Sequence, residues 1–205
     1  PLDSELELDE MVTFETCKVT QPLTLPVLIE AKSMLVIAAE PAPIRPFGKT
    51  SRARERRIAA AEVIHGKRED RSKQAVLRVL AAAGKITRHL PLVVLRTDKK
   101  SLYPPLAATV FGEQRLEHQR SSSKLPRTAA NPIFRINVTA AIARDLTGRL
   151  RRRSWLASKK ACFLHRQLGV FMAWRNFVRR RVNKDPRSAA MALGWIDRRL
   201  TTEQL

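Results

Sequence analysis

The chain has 205 residues, 44% of them hydrophobic, and a formal net charge of +20. That is apolar enough for a packed core, which excludes wholesale disorder, and long enough for one large domain or one and a half small ones. The charge makes a polyanion the expected partner, and no apolar run reaches the roughly 20 residues that span a bilayer.

Two cysteines, Cys17 and Cys162, are too few for a disulfide framework or a zinc cluster, so a reducing cytoplasm is expected. The first residues are acidic rather than basic, unlike a secretory signal. The chain opens on Pro1 and closes on a capping-box pattern, Thr201 with Gln204, that no helix follows. Both ends read as those of a piece of a longer protein.

In chain order, "ELELDEMVTFE" alternates as a half-buried strand, with Leu6, Leu8, Val12 and Phe14 on one side and Asp9 pointing away from them. Glu10 falls on the apolar side, where an unpaired carboxylate is costly. "LTLPVLIEAKSMLVIAAEPAP" predicts two more strands around a turn at Lys32 and Ser33, with Pro26 favouring an edge or a strand start. Residues 44–70 form a basic insertion with a helix over 51–64. "SKQAVLRVLAAAG" is a helix stopped by Gly84, and "PLVVLRTD" is an apolar run of buried-strand length. "YPPLAATVFG" predicts a short helix ending at Gly112, and "RLEHQ" a fifth strand. After a loop with Arg115, Arg120, Lys124 and Arg127 nearby, Val138, Ile142, Leu146 and Leu150 predict a helix over 137–153. Asn137 begins it, and Arg144 and Arg151 follow along the adjacent face. A second long helix is expected over 158–182. Three strands, helix, strand, helix, strand and then helices make an α/β protein with a mixed five-stranded sheet and a C-terminal helical extension.

Charge is segregated. Residues 1–43 carry eight acids against Lys18 and Lys32, whereas residues 120–200 carry three acids among twenty Lys and Arg. Arg149, Arg151, Arg152, Arg153, Lys159 and Lys160 flank Trp155, a set suited to phosphates. Trp155 itself is either a core anchor between two helices or a platform for a base. His89, His118 and His165 lack metal spacing, no glycine-rich phosphate loop occurs, and Ser121 to Ser123 lack a His and acid partner.

Asp9 lies in the first strand and Asp98 closes the fourth. In mixed sheets, sites gather where strand ends open beside a change of strand order. Two carboxylates brought together there repel unless a divalent cation sits between them, and hard cations such as Mg²⁺ prefer oxygen ligands. Taken singly, Asp98 is more often a turn or helix-capping residue, Asp9 a solvent-facing strand acid and Asn137 an N-cap.

The segments "LDEMVTFE", "VVLRTDKKSLYP" and "NPIFRINVTAAIARDLTGRLRRRSWLASKK", with "FMAWRNFVRRRVN", resemble the catalytic core of bacterial insertion-sequence transposases of the DDE type. The similarity runs from about Glu5 to the C-terminus. It implies a ribonuclease-H-like catalytic core over 1–153, a basic helical extension over 154–205 and a DNA-binding domain upstream. It also implies two Mg²⁺ (or Mn²⁺) ions held by Asp9, Asp98 and a third ligand that opens the helix after the last strand. That third position departs from the family's usual glutamate, since none occurs between Glu117 and Glu203. Asn137 matches it best, with Arg144 as the basic partner on substrate phosphate, and Asp145 is the fallback. Metal-dependent cleavage and strand transfer of DNA are then expected, with Arg149, Arg151, Arg152, Arg153, Lys159, Lys160, Lys124 and Arg127 on the DNA. The resemblance implies a homo-oligomer on DNA in the bacterial nucleoid. A nuclease of the same fold, or an inactive remnant that only binds nucleic acid, are the alternatives.

Overall fold

The structure, a computed structural model, describes residues 4–49, 51–151, 156 and 158–205. Its centre is β1 (Glu5–Phe14), paired antiparallel with β2 (Pro22–Glu30) over their full common length, from Leu6 opposite Glu30 to Phe14 opposite Pro22. The short strands β3 (Val36–Ala39) and β4 (Ala42–Pro43) both pair antiparallel with the outer edge of β2. On the other side of β1 lie β5 (Val93–Asp98), parallel to it, and β6 (Leu116–Ser121), parallel to β5. The order β3-β2-β1-β5-β6, with β4 beside β2, makes a mixed six-stranded sheet. The strand beyond the expected five is the two-residue β4.

Pro26 is not at an edge. It sits in the middle of β2, and its missing N–H falls where the outer ladder is broken: β3 pairs with Val27 to Ile29, and β4 with Leu23 and Thr24. Its carbonyl faces that same gap and accepts Glu40 N–H at 3.2 Å. A proline lacking a donor is tolerated inside a sheet only at such an interruption.

Helices cover both faces. On one, α2 (Ser72–Ile86) and α3 (Tyr103–Phe111) bury Val76, Val79, Leu80, Leu106 and Phe111 against Leu6, Leu8, Leu28, Val93 and Leu95. On the other, α4 (Phe134–Leu146) and α5 (Ala161–Ala173) bury Ile136, Ala140, Ala143, Leu164, Leu168 and Phe171 against Met11, Leu23, Leu25, Val27 and Ile29. Each fully buried Leu or Ile contributes about 1.5–3 kcal/mol by leaving water. Hence every residue of β2 is buried, as its nearly unbroken apolar sequence requires. Helix α1 (Arg52–His65) has no buried residue. A four-residue helix, α6 (Ala189–Ala192), follows late in the chain.

Several boundaries differ from expectation. Gly84 does not stop α2, which continues to Ile86; a Cβ on Gly84 would come within 2.8 Å of Val110 Cγ1, so the glycine lets α2 and α3 approach. Helix α4 begins three residues before Asn137, because Asn131 Oδ1 takes Ile133 N–H at 3.0 Å and turns the chain after Pro132. It ends at Leu146 rather than 153, followed by a short 3₁₀ turn, Gly148–Leu150. The face it turns to the sheet is Ile136 followed by the small row Thr139, Ala140 and Ala143, while Leu146 is exposed. The expected helix over 158–182 is α5 alone, succeeded by a wider turn at Trp174–Val178. Among the described residues no helix is long and apolar enough to cross a membrane.

Candidate active site

Strand pairing brings Asp9 and Asp98 side by side. The last paired residues of β1 and β5 are Glu7 and Arg96, and two further residues along both parallel strands reach Asp9 and Asp98. Side chains alternate, so Glu5, Glu7 and Asp9 share one face with Arg96 and Asp98. The ion pair of Arg96 Nη1 with Glu5 Oε2 at 2.8 Å follows from that alignment. The pairing of β1 with β5 stops before the two aspartates, at the carboxyl end of β5 and beside the point where the sheet order reverses. Sites in open α/β sheets gather at such places.

The side of β1 that carries Asp9 is not the solvent face that simple alternation predicts. Glu7, Met11 and Thr13 on it are all buried beneath α4 and its neighbours. Glu7 Oε2 accepts Ile136 N–H at 2.8 Å near the start of α4, and burial raises its carboxyl above the usual range. Asp9 is pushed up to about 6 by burial, with the charges of Asp98 and Glu10 adding to the rise. A 2.8 Å hydrogen bond from Glu10 N–H and the positive charge of Arg127 oppose it. Asp98 closes a tight turn by accepting Lys100 N–H at 3.0 Å. Both the turn role and the pairing with Asp9 therefore coexist in one residue.

Glu10 points to the opposite face and is fully engaged. Lys100 Nζ lies 2.7 Å and Tyr103 O–H 2.9 Å from its Oε1, and Thr24 O–H donates to Oε2. Burial, then the Glu10 and Asp98 carboxylates, hold the Tyr103 hydroxyl well above its ordinary value, so it remains a donor. Lys100 thus ties the Asp98 turn to the residue next to Asp9. Sequence patterning misses Glu7, Lys100 and Tyr103; the one available signal is that Glu10 occupies an inward position and so demands partners.

Asn137 lies in the first turns of α4, half-buried, and its Nδ2 donates to Ile133 O at 2.8 Å. Among the described residues no hydrogen bond joins it to Asp9 or Asp98. Arg144 is half-buried and Asp145 exposed, both near the end of α4. Arg149 lies beside the far end of β1, where its carbonyl accepts Thr13 O–H at 3.1 Å. Exposed Lys159 and Lys160 follow Ser158, which is bridged to Glu15 just past β1. Arg151 is exposed and donates to Asp145 O at 3.0 Å. Lys124 and Arg127 are exposed in the loop after β6. Arg152, Arg153 and Trp155 lie outside the described residues. Arg127 carries a positive charge that acts on Asp9.

The pair fits a hard divalent cation in its donor chemistry: two carboxylates, one of them, Asp9, pushed up by burial and then by the neighbouring charges of Asp98 and Glu10. Mg²⁺ is commonly held by one or two carboxylates, with water and substrate phosphate completing its shell. Among the described residues no group of three or more His, Cys, Asp and Glu side chains stands together as metal ligands. No protein-family model and no curated protein matches the chain.

Proposed function

We propose that the chain is a ribonuclease-H-like catalytic domain of a DNA transposase that cleaves and joins phosphodiesters at Asp9 and Asp98. The observation that carries this reading is the pair itself: two carboxylates on one face of neighbouring parallel strands, with Asp9 raised to about 6 by burial and by Asp98. The strand order, with three antiparallel strands followed by two parallel ones beyond β1, supports the fold assignment. The sequence resemblance supplies the reaction class.

Asp9 and Asp98 are the residues to hold Mg²⁺ or Mn²⁺, with Asn137 or Asp145 proposed as a third ligand. A divalent pair bound there supplies Lewis-acid chemistry for displacement at phosphorus. The protein's own part is to hold both carboxylates level through the β1–β5 register and the Asp98 turn. Arg127 offsets their negative charge towards a phosphate, and Arg144 is proposed to grip it. Lys124, Arg149, Arg151, Lys159 and Lys160 would neutralise flanking DNA, where each phosphate contact strengthens binding and its salt dependence. Assembly as a homo-oligomer on DNA belongs to the same reading.

The second reading is a remnant that binds nucleic acid without cutting it, favoured by the lack of a third acid beside the pair among the described residues. Nicking of supercoiled DNA with Mg²⁺ or Mn²⁺, with Asp98→Ala alongside, decides between them. Nicking that the substitution abolishes is expected. Binding without nicking, unaffected by the substitution, would leave the remnant. Joined products would separate a transposase from a nuclease.

A further inference from the structure

A cleft of about 720 Å³ opens between α4 and the 179–184 segment, and neither Asp9 nor Asp98 lines it. Its volume suits a nucleotide-sized group, within the roughly 300–1,000 Å³ common for ligand sites. Five of the lining residues are cationic: Arg135, Arg179, Arg180, Arg181 and Lys184. The remainder includes Met34, Phe134, Val138 and Ile142, an apolar wall of the kind that sugar and base carbons can lie against. Its one acid is Glu7, which is buried, hydrogen-bonded to Ile136 N–H and 3.9 Å from Arg135 Nη1. The net lining is therefore strongly positive.

Two further features single the cleft out from a generally basic surface. Arg175, wholly buried, stands behind it: its Nη2 donates to Arg181 O at 3.1 Å and lies 4.0 Å from Met34 Sδ, both on lining residues. Its Nε and Nη1 have no hydrogen-bond partner among the described residues. A buried guanidinium so placed adds positive potential that water does not screen. Secondly, Glu7 precedes Asp9 by two residues on the same face of β1. The cleft thus begins about 7 Å from the carboxylate pair along the strand.

We propose that this cleft is a polynucleotide-binding site that grips the phosphodiester backbone of a strand running on from Asp9 and Asp98. Choosing a polynucleotide as the ligand rests on the function proposed above. The arginines Arg135, Arg179 and Arg180 and the amine of Lys184 contact successive phosphates. Asp185 holds Arg181, with Nε 2.6 Å from Oδ2, which fixes the segment's shape.

The test is fluorescence anisotropy with the full chain and labelled single-stranded and duplex 20-mers, without divalent metal, over a salt series. Arg180→Glu with Lys184→Glu removes two exposed contacts. The control, Arg52→Glu with Arg56→Glu, makes the same charge change on exposed positions of α1. The cleft pair is expected to weaken binding at least 30-fold and to lower the salt slope by about two, and the control pair to weaken it less than threefold. Arg180→Gln with Lys184→Gln should show the same ranking if charge reversal disturbs folding. Equal losses in the cleft and control pairs overturn the proposal. A wild-type chain that binds through the cleft but never nicks DNA with Mg²⁺ sinks the catalytic reading and leaves the cleft standing.

Discussion

Asp9 and Glu10 are adjacent in the chain, yet they meet opposite surroundings. Glu10 faces α3 and is met by an amine, a phenol and a hydroxyl. Asp9 faces the α4 side and meets the carboxylate of Asp98, with one backbone N–H and the positive charge of Arg127 as its relief. One strand thus builds a finished ionic network on one face and an unfinished one on the other. A buried carboxylate with its partners in place holds a fold together, whereas one left next to a like charge is the arrangement that binding sites tolerate. The contrast distinguishes an acid with its partners in place from the one proposed to act on substrate, without reference to any relative.

The largest way to break that contrast is catalytic. Asp98→Asn or Asp9→Asn should lower Mg²⁺-dependent nicking by roughly 100-fold or more, since on the proposed reading either removes a charged metal ligand. Glu10→Gln should reduce it far less, by under about tenfold, because it perturbs only the tether of the Asp98 turn. Equal losses from all three would erase the distinction.

The next effect is on stability, and its sign is opposite on the two faces. Asp9 rises from an ordinary value of 3.8 to about 6 on folding. The folded state therefore binds the proton more tightly, and stability from this group, full below about pH 4, is lost as pH rises to 6. Asp9→Asn should stabilise the metal-free protein at pH 7 by about 2–3 kcal/mol, and by little at pH 4. Urea unfolding at the two pH values, with and without Mg²⁺, checks this. An unchanged midpoint at pH 7 would mean Asp9 carries no strain.

Much of the layout is legible in the sequence. β1, β5, α1, α3 and β6 follow from alternation, from basic and apolar run lengths and from the turn at Gly112, which sits at positive φ. The level placement of Asp9 and Asp98 is less accessible. It depends on the register between two strands more than 80 residues apart, which no local pattern encodes. The inward face of α4 misleads for a physical reason: Val138, Ile142 and Leu146 are the larger residues, but the sheet accepts the small row Thr139, Ala140 and Ala143 because these allow close approach. The cleft at 179–184 stayed hidden because a run of arginines reads the same on a solvated surface as in a concave one.

The smallest predictions concern the finished network. Glu10→Ala leaves Lys100 and Tyr103 without their shared acceptor and should cost about 2 kcal/mol, a figure below that for fully buried pairs because Lys100 is partly exposed. Tyr103→Phe keeps the ring packed against Leu106 and its neighbours and deletes one hydrogen bond, at a cost of about 1 kcal/mol. In the double variant, Glu10→Ala with Tyr103→Phe, the two losses should fall short of their sum, since the second change removes a donor already stranded by the first. Strict additivity would mean that Tyr103 finds another acceptor when Glu10 is gone. The two faces of β1 would then differ less than their hydrogen bonds suggest, because the Glu10 side could be rebuilt from what surrounds it.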